Sequence, residues 1–397
     1  MENLPKKSQA TSTQLPKPFI LLAGISGTGK TRFVKQQAQY FKQDNSNYCL
    51  VPVRPDWHEP SDLLGYISRL GNNGAEYIIT DFLVFLVAAW KEAIASIEQG
   101  EISYNADCVP YWLCLDEMNL APVEQYFADY LAVIETRHWD NGQYSCEPLL
   151  KASVFKQVAD YAKLRASLNL QSDKDQALWD YFLAQGISIP PNLIVAGTVN
   201  MDETTHGFSR KVIDRAFTID FGEFFSNDYQ HYFSPATQPK ALSFSSYSQV
   251  DATLISEDKA KASIQFLEAI NQVLKASPFE LAYRALNELL IAVVCFKPES
   301  PIELQAVWDD FLMTKVLPRI EGDSEKLQED GEKNLLTQLE NVFAEQLADI
   351  WAEDKTRPDL LRESLKREEL AVSCRSKKKL SWMQARLSNN GFTSFWP

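Results

Sequence analysis

Eight residues near the start of the chain carry the densest chemistry: Gly24-Ile25-Ser26-Gly27-Thr28-Gly29-Lys30-Thr31. Glycines at 24, 27 and 29 let successive backbone N–H groups turn inward around an anion, and a helix opening behind them adds its positive end. Every fixed position of the pattern G-x-x-x-x-G-K-[ST] is filled, which is the signature of a phosphate-cradling loop. On this reading Gly24, Ser26, Gly27, Thr28 and Gly29 form the cradle. Lys30 neutralises the β- and γ-phosphates of a nucleotide, and the Thr31 hydroxyl ligates Mg2+.

Two further sites complete such chemistry. Asp116-Glu117 follows the apolar run Tyr111 to Leu115. There Asp116 would hold Mg2+ through its water shell, and Glu117 would polarise an attacking water. Asn200 follows the run Leu193 to Thr198, where a polar side chain at the carboxyl end of a parallel strand faces the ligand crevice. It would orient that water. Arg210 and Arg215 flank a short helix leading into Ala216 to Phe221. In a ring of subunits a guanidinium from that helix would reach the neighbour's γ-phosphate and offset charge in the transition state.

Positioning these groups requires a sheet. Phe19 to Ala23, Cys49 to Val53, Tyr111 to Leu115, Leu193 to Thr198 and Ala216 to Phe221 are short apolar runs of the kind buried in parallel sheets. Helical patterns lie between them: Lys30 to Phe41, Phe82 to Glu98, and Pro122 to Glu135 with proline in the permitted first turn. Strands alternating with helices predict an α/β fold with crossover connections. Tyr66 to Thr80, around Gly71-Asn72-Asn73-Gly74, reads as a hairpin. Residues 139–191 read as an insertion of hairpin and helix.

The organisation that follows is a polar leader over 1–18, a nucleotide-binding core over 19–226 and a Ser/Tyr/Pro-rich linker over 227–257. A helical domain over 258–345 and a helical extension with an aromatic tail over 346–397 complete it. The basic run Arg375-Ser376-Lys377-Lys378-Lys379 reads as a solvated helix face.

Composition sets bounds on function. The 397 residues are 45% hydrophobic and 23% charged, ordinary for a globular chain and wrong for a disordered one. Asp and Glu number 53 against 39 Lys and Arg, a formal charge of −14 that argues against broad duplex-DNA binding. DNA contact, if any, is then indirect or through a ring pore. The six cysteines and four histidines show no metal-ligand spacing, and the cysteines read as thiols of a reducing compartment. The longest unbroken apolar run, Phe82 to Trp90, is far short of the ~20 residues of a membrane span. With no apolar leader, a cytoplasmic chain without membrane contact is expected.

The order of the phosphate loop, Asp116-Glu117-Met118-Asn119-Leu120-Ala121, Gly197-Thr198-Val199-Asn200 and Asp214-Arg215-Ala216-Phe217 resembles the AAA+ superfamily of NTPases. More narrowly it resembles the McrB type, the nucleotide-driven motors of modification-dependent restriction. That resemblance covers roughly residues 19–320 and implies a P-loop core with a helical lid. It also implies ATP or GTP as substrate, Mg2+, a ring that is commonly hexameric, and a separate McrC-like nuclease or effector subunit. Tyr283-Arg284-Ala285-Leu286-Asn287-Glu288 resembles the family's sensor-2 helix, so Arg284 would contact the phosphates from the lid. McrB-type chains carry adjacent arginines at the finger position, whereas here Arg215 has Arg210 five residues before it. A MoxR-like remodelling chaperone and a nucleotide-gated scaffold with little turnover are the alternatives.

Overall fold

Apolar runs bounded by polar ends become the centre of the molecule. In the computed structural model five strands form one sheet: β1 (Phe19–Gly24), β2 (Tyr48–Pro52), β3 (Tyr111–Asp116), β4 (Leu193–Asn200) and β5 (Phe217–Asp220). Their order is β5-β1-β4-β3-β2, and every pairing is parallel. The structure describes residues 8, 11–70, 74–98, 100–105, 107–140, 142–201, 208–225, 229, 233–329, 333–366 and 368–396.

Successive side chains of a strand point to opposite faces, so runs without a polar position demand cover on both. Phe19, Leu21, Leu113, Leu115 and Val195 join one buried cluster with Phe82, Trp90, Tyr130 and Phe182. Ile20, Leu22, Trp112, Cys114, Ile194 and Ala196 join a second cluster. That second cluster continues through Phe266, Leu289, Phe311, Leu339 and Met383 without a break. The protein is thus an α/β fold with a parallel sheet flanked by helices, and its helical C-terminal half shares a core with the sheet.

Helix α1 (Lys30–Gln39) opens directly from the glycine loop, and α2 (Asp81–Ala93) is capped by the Thr80 side chain, which accepts from the Leu83 N–H. The C-terminal half contributes α3 (Glu257–Leu274), α4 (Tyr283–Phe296), α5 (Pro301–Phe311), α6 (Leu335–Gln346) and α7 (Arg375–Asn390). No helix among the described residues is long and apolar enough to cross a membrane. The six cysteines are free thiols, four of them buried.

Several local expectations change. Helix α2 stops at Ala93, and Ile94–Glu98 pairs instead with Glu101–Tyr104 as a hairpin turning at Gly100. The leader is part of the fold at its end, since Thr13–Leu15 pairs in parallel with Leu242–Phe244. The same pairing draws residues 241–245 of the expected linker into the packed fold, with Leu242 fully buried, while Tyr229 and Phe233 stay exposed. Between residues 346 and 397 one long helix, α7, stands among short strands, and the aromatic tail pairs Phe392–Ser394 with Glu321–Asp323. The basic run is not a solvated face: Arg375 and Lys379 are buried at 4% and 6% exposure because each meets a carboxylate. Residues 71–73 of the expected hairpin turn, 202–207 after Asn200 and most of the leader lie outside the described residues.

Candidate nucleotide-binding site

Parallel register decides which polar groups meet. Asn200 is paired with Gly24 across β4 and β1, and Gly197 with Leu115, so Asp116, Asn200 and the glycine loop all emerge at the carboxyl edge of the sheet. The strand order reverses across β1 and β4, and such a switch point is where open α/β sheets take their ligands.

Loop geometry follows from its glycines. Gly27 and Gly29 have φ of 78° and 89°, a left-handed conformation that side chains resist, and Gly29 is the cap from which α1 starts. The Thr28 hydroxyl donates to the Ile25 carbonyl at 3.0 Å. Lys30, nearly buried, folds its ammonium back onto the carbonyls of Gly24 and Ile25 at 2.9 and 2.8 Å. Ser26 lies in the exposed part of the loop.

A chain of hydrogen bonds joins the loop to the two acidic residues. The Thr31 hydroxyl donates to Asp116 Oδ1 at 2.7 Å. The Thr198 hydroxyl donates to the same oxygen at 2.8 Å and accepts from the Glu117 N–H at 2.9 Å. The Asn200 amide donates to Glu117 Oε1 at 3.1 Å, and the Asn119 amide donates to the Asn200 carbonyl at 3.2 Å. Glu117 itself has φ of 53°, a left-handed conformation that costs a non-glycine residue about 1–2 kcal/mol. Close packing holds that turn down: a Cβ on Gly197 would stand 2.4 Å from the sulfur of Met118. Among the described residues neither Asp116 nor Glu117 is paired with a cation.

Two residues of this network escaped the sequence reading of roles, Thr198 and Asn119. A threonine inside the apolar run Leu193 to Val199 was the available signal, because a buried hydroxyl must find partners.

The donor set suits a hard cation. Thr31 and Asp116 present a hydroxyl and a carboxylate side by side, and Mg2+ is typically held by one or two such protein oxygens together with substrate phosphates. Among the described residues no group of three or more His, Cys, Asp or Glu side chains could hold a metal alone.

The three arginines stand elsewhere. Residues 16–18 lead into β1, so groups around them lie at the amino edge, roughly 20 Å from the glycine loop at ~3.3 Å per residue. There a cavity of about 240 Å³ is lined by Lys17, Glu135, Arg137, Arg215, Arg284 and Glu288, among others. Arg215 donates to the Leu131 and Lys211 carbonyls at 2.8 and 2.9 Å and pairs with Glu135 at 2.9 Å. Arg284 pairs with the same Glu135 at 2.5 Å. It is therefore not brought to its own chain's glycine loop, because α4 packs against the residues before β1. Arg210 turns away to the Pro278 carbonyl at 2.7 Å and lies over the Phe279 ring.

Behind these arginines a buried ion network fastens the two halves together. Glu288 accepts from Lys17 and Lys315, each at 2.8 Å, and both ammonium groups also donate to the Asp214 carbonyl. Burial pushes Lys17 down to about 7 against the pull of Glu288, while Lys17 and Lys315 hold the buried Glu288 carboxyl below its ordinary value.

Comparison with known proteins places one region only. Residues 236–392 match a family model described as a domain of unknown function (DUF8727), which spans less than half of the chain. No curated protein matches it.

Proposed function

We propose that the chain is a nucleoside triphosphatase with a P-loop core of the AAA+ type. The observation that carries this is the contact of Thr31 with Asp116 at the mouth of the glycine loop, flanked by the Asn200–Glu117 contact. Loop N–H groups and Lys30 would bind the phosphates, the ammonium exchanging its loop carbonyls for phosphate oxygens. Thr31 and Asp116 would hold Mg2+, which when bound neutralises charge on the β- and γ-oxygens. Thr198 fixes the Asp116 carboxylate and the Glu117 backbone together. Glu117 would take the proton of the attacking water, and Asn200, released from Glu117, would orient that water against the γ-phosphate.

Arg215 and Arg284 enter this scheme from another copy. Both lie at the edge of the sheet opposite the glycine loop of their own chain, and both line an open cavity. In a closed ring that edge would face the neighbour's nucleotide, with Arg215 offsetting transition-state charge. The order of motifs along the chain extends the proposal to a McrB-like motor that drives or licenses a separate nuclease subunit.

The test is Mg2+-dependent hydrolysis of ATP and GTP by the purified chain, with Glu117→Gln as the blank. Turnover that vanishes in the variant supports the assignment, and equal turnover in both would sink it. Mixing Arg215→Ala with Lys30→Ala chains tests the arm in trans. An intact loop then meets an intact arginine, so activity should return.

A further inference from the structure

A cavity of about 230 Å³ adjoins the glycine loop on the side away from Asp116. Thr28, Gly29 and Arg32 line it from the loop and α1, Phe221 and Phe225 give it an aromatic floor, and Arg362 lines it from the C-terminal half. The two floor rings are stacked 4.9 Å apart, and Phe33 packs 4.7 Å from Phe225. Among the described residues no carboxylate lines this space, and two guanidinium groups do. Its volume is below the ~300 Å³ at which whole drug-sized ligands begin to fit. It suits the base and sugar of a nucleotide whose phosphates lie on the adjoining loop.

Arg362 is held in place from behind. Its Nε donates to Asp359 Oδ2 at 2.7 Å, and Asp359 is buried and bound also by Arg375 at 2.7 Å. Among the described residues the terminal nitrogens of Arg362 have no other partner, and the residue lines this cavity as well as a second one beside Asp359 and Glu363. Helix α7 grips both sides of the space. Its Arg375 steadies Asp359, while Lys379 pairs with Asp220 at 2.7 Å and Lys378 with Glu223 at 2.8 Å, around the segment that bears Phe221 and Phe225.

We propose that this cavity holds the nucleoside portion of the nucleotide, its base lying on the Phe221–Phe225 floor beside the guanidinium of Arg362, a specificity residue. The inference rests on the reading of residues 24–31 as the phosphate site. It gives the region matched at 236–392 a task, that of recognising the nucleoside. An aromatic floor and a planar cation both favour a large π-face, so purine nucleotides should bind better than pyrimidine ones.

Affinities for ATP, GTP, CTP and inorganic tripolyphosphate, measured on the full chain in a Glu117→Gln background with Mg2+, separate the two readings. Purine nucleotides should bind more tightly than tripolyphosphate. Arg362→Ala should weaken purine nucleotides by roughly 10-fold while leaving tripolyphosphate unchanged. Arg362→Lys, which keeps the charge but not the plane, should fall between. Phe225→Leu, which leaves the Asp359 network alone, should show the same selective loss, and melting temperatures confirm that each variant is folded. If Arg362→Ala and Phe225→Leu weaken nucleotide and tripolyphosphate by equal factors, or weaken neither, the nucleoside assignment is wrong and the phosphate site stands. A parent chain that binds neither nucleotide nor tripolyphosphate overturns both.

Discussion

The two edges of the sheet use the same residue types to opposite ends. At the carboxyl edge the Asp116 and Glu117 carboxylates accept from hydroxyl and amide groups, and among the described residues no cation neutralises them. At the amino edge Lys17, Lys315, Arg215 and Arg284 each close on a carboxylate, and Glu288 and Glu135 each serve two cations. Acidic groups ordered by neutral donors are ready to meet a cation or a water. Charges that already compensate one another within the fold hold elements together. Charged residues alone therefore do not mark the phosphate site; incomplete compensation does, and Arg215 and Arg284 would have to leave Glu135 to act on a neighbour's nucleotide.

Substitutions can break that contrast. The largest effect should come from Glu117→Gln, which removes the general base and should lower turnover by ~10²–10⁴-fold without lowering the melting temperature. Relief of nothing but chemistry is the diagnostic, so calorimetry belongs beside the rate assay. Next in size is Lys315→Met at the other edge. It leaves buried Glu288 with one cation and should cost about 3 kcal/mol of stability in chemical unfolding. A smaller loss should follow Thr198→Val, which keeps the shape but frees both the Asp116 carboxylate and the Glu117 N–H. A fall in turnover of about 10-fold, equivalent to ~1.4 kcal/mol, is expected from a lost pair of hydrogen bonds. An unchanged rate would remove Thr198 from the positioning role. The smallest is Glu135→Gln. Its ion pairs are partly exposed, at 20%, 29% and 50% of their side chains, so screening should hold the stability change below ~1 kcal/mol.

What the sequence disclosed divides along the same line. The glycine loop, Asp116-Glu117 and Asn200 are contiguous motifs, each a short step from an apolar strand, so both their identity and their edge of the sheet could be read. The α/β class was equally legible, since four of the five runs lack polar alternation and so require a sheet covered on both faces. Thr198 was in view but without its role, because its partners lie some 82 residues away. Arg284 resembled a lid arginine, yet its position depends on Glu135, about 150 residues earlier, and on the seating of α4. Lys379 was misread for the same reason: nothing local in Arg375 to Lys379 reveals that Asp220 waits 159 residues upstream. Periodicity reports burial of apolar faces and is silent on which distant carboxylate will bury a lysine. Nor did it locate the end of α2, where five residues from Ile94 leave the helix for a hairpin.

A phosphate site at residues 24–31 is tested most directly by equilibrium binding of ATP and GTP, with Mg2+, to the parent chain and to Lys30→Ala. Saturable, Mg2+-dependent binding of at least one nucleotide to the parent is expected, with loss of it in the equally folded variant. Binding that survives Lys30→Ala unchanged, or a folded parent that binds neither nucleotide, would contradict a phosphate site at the carboxyl edge of the sheet.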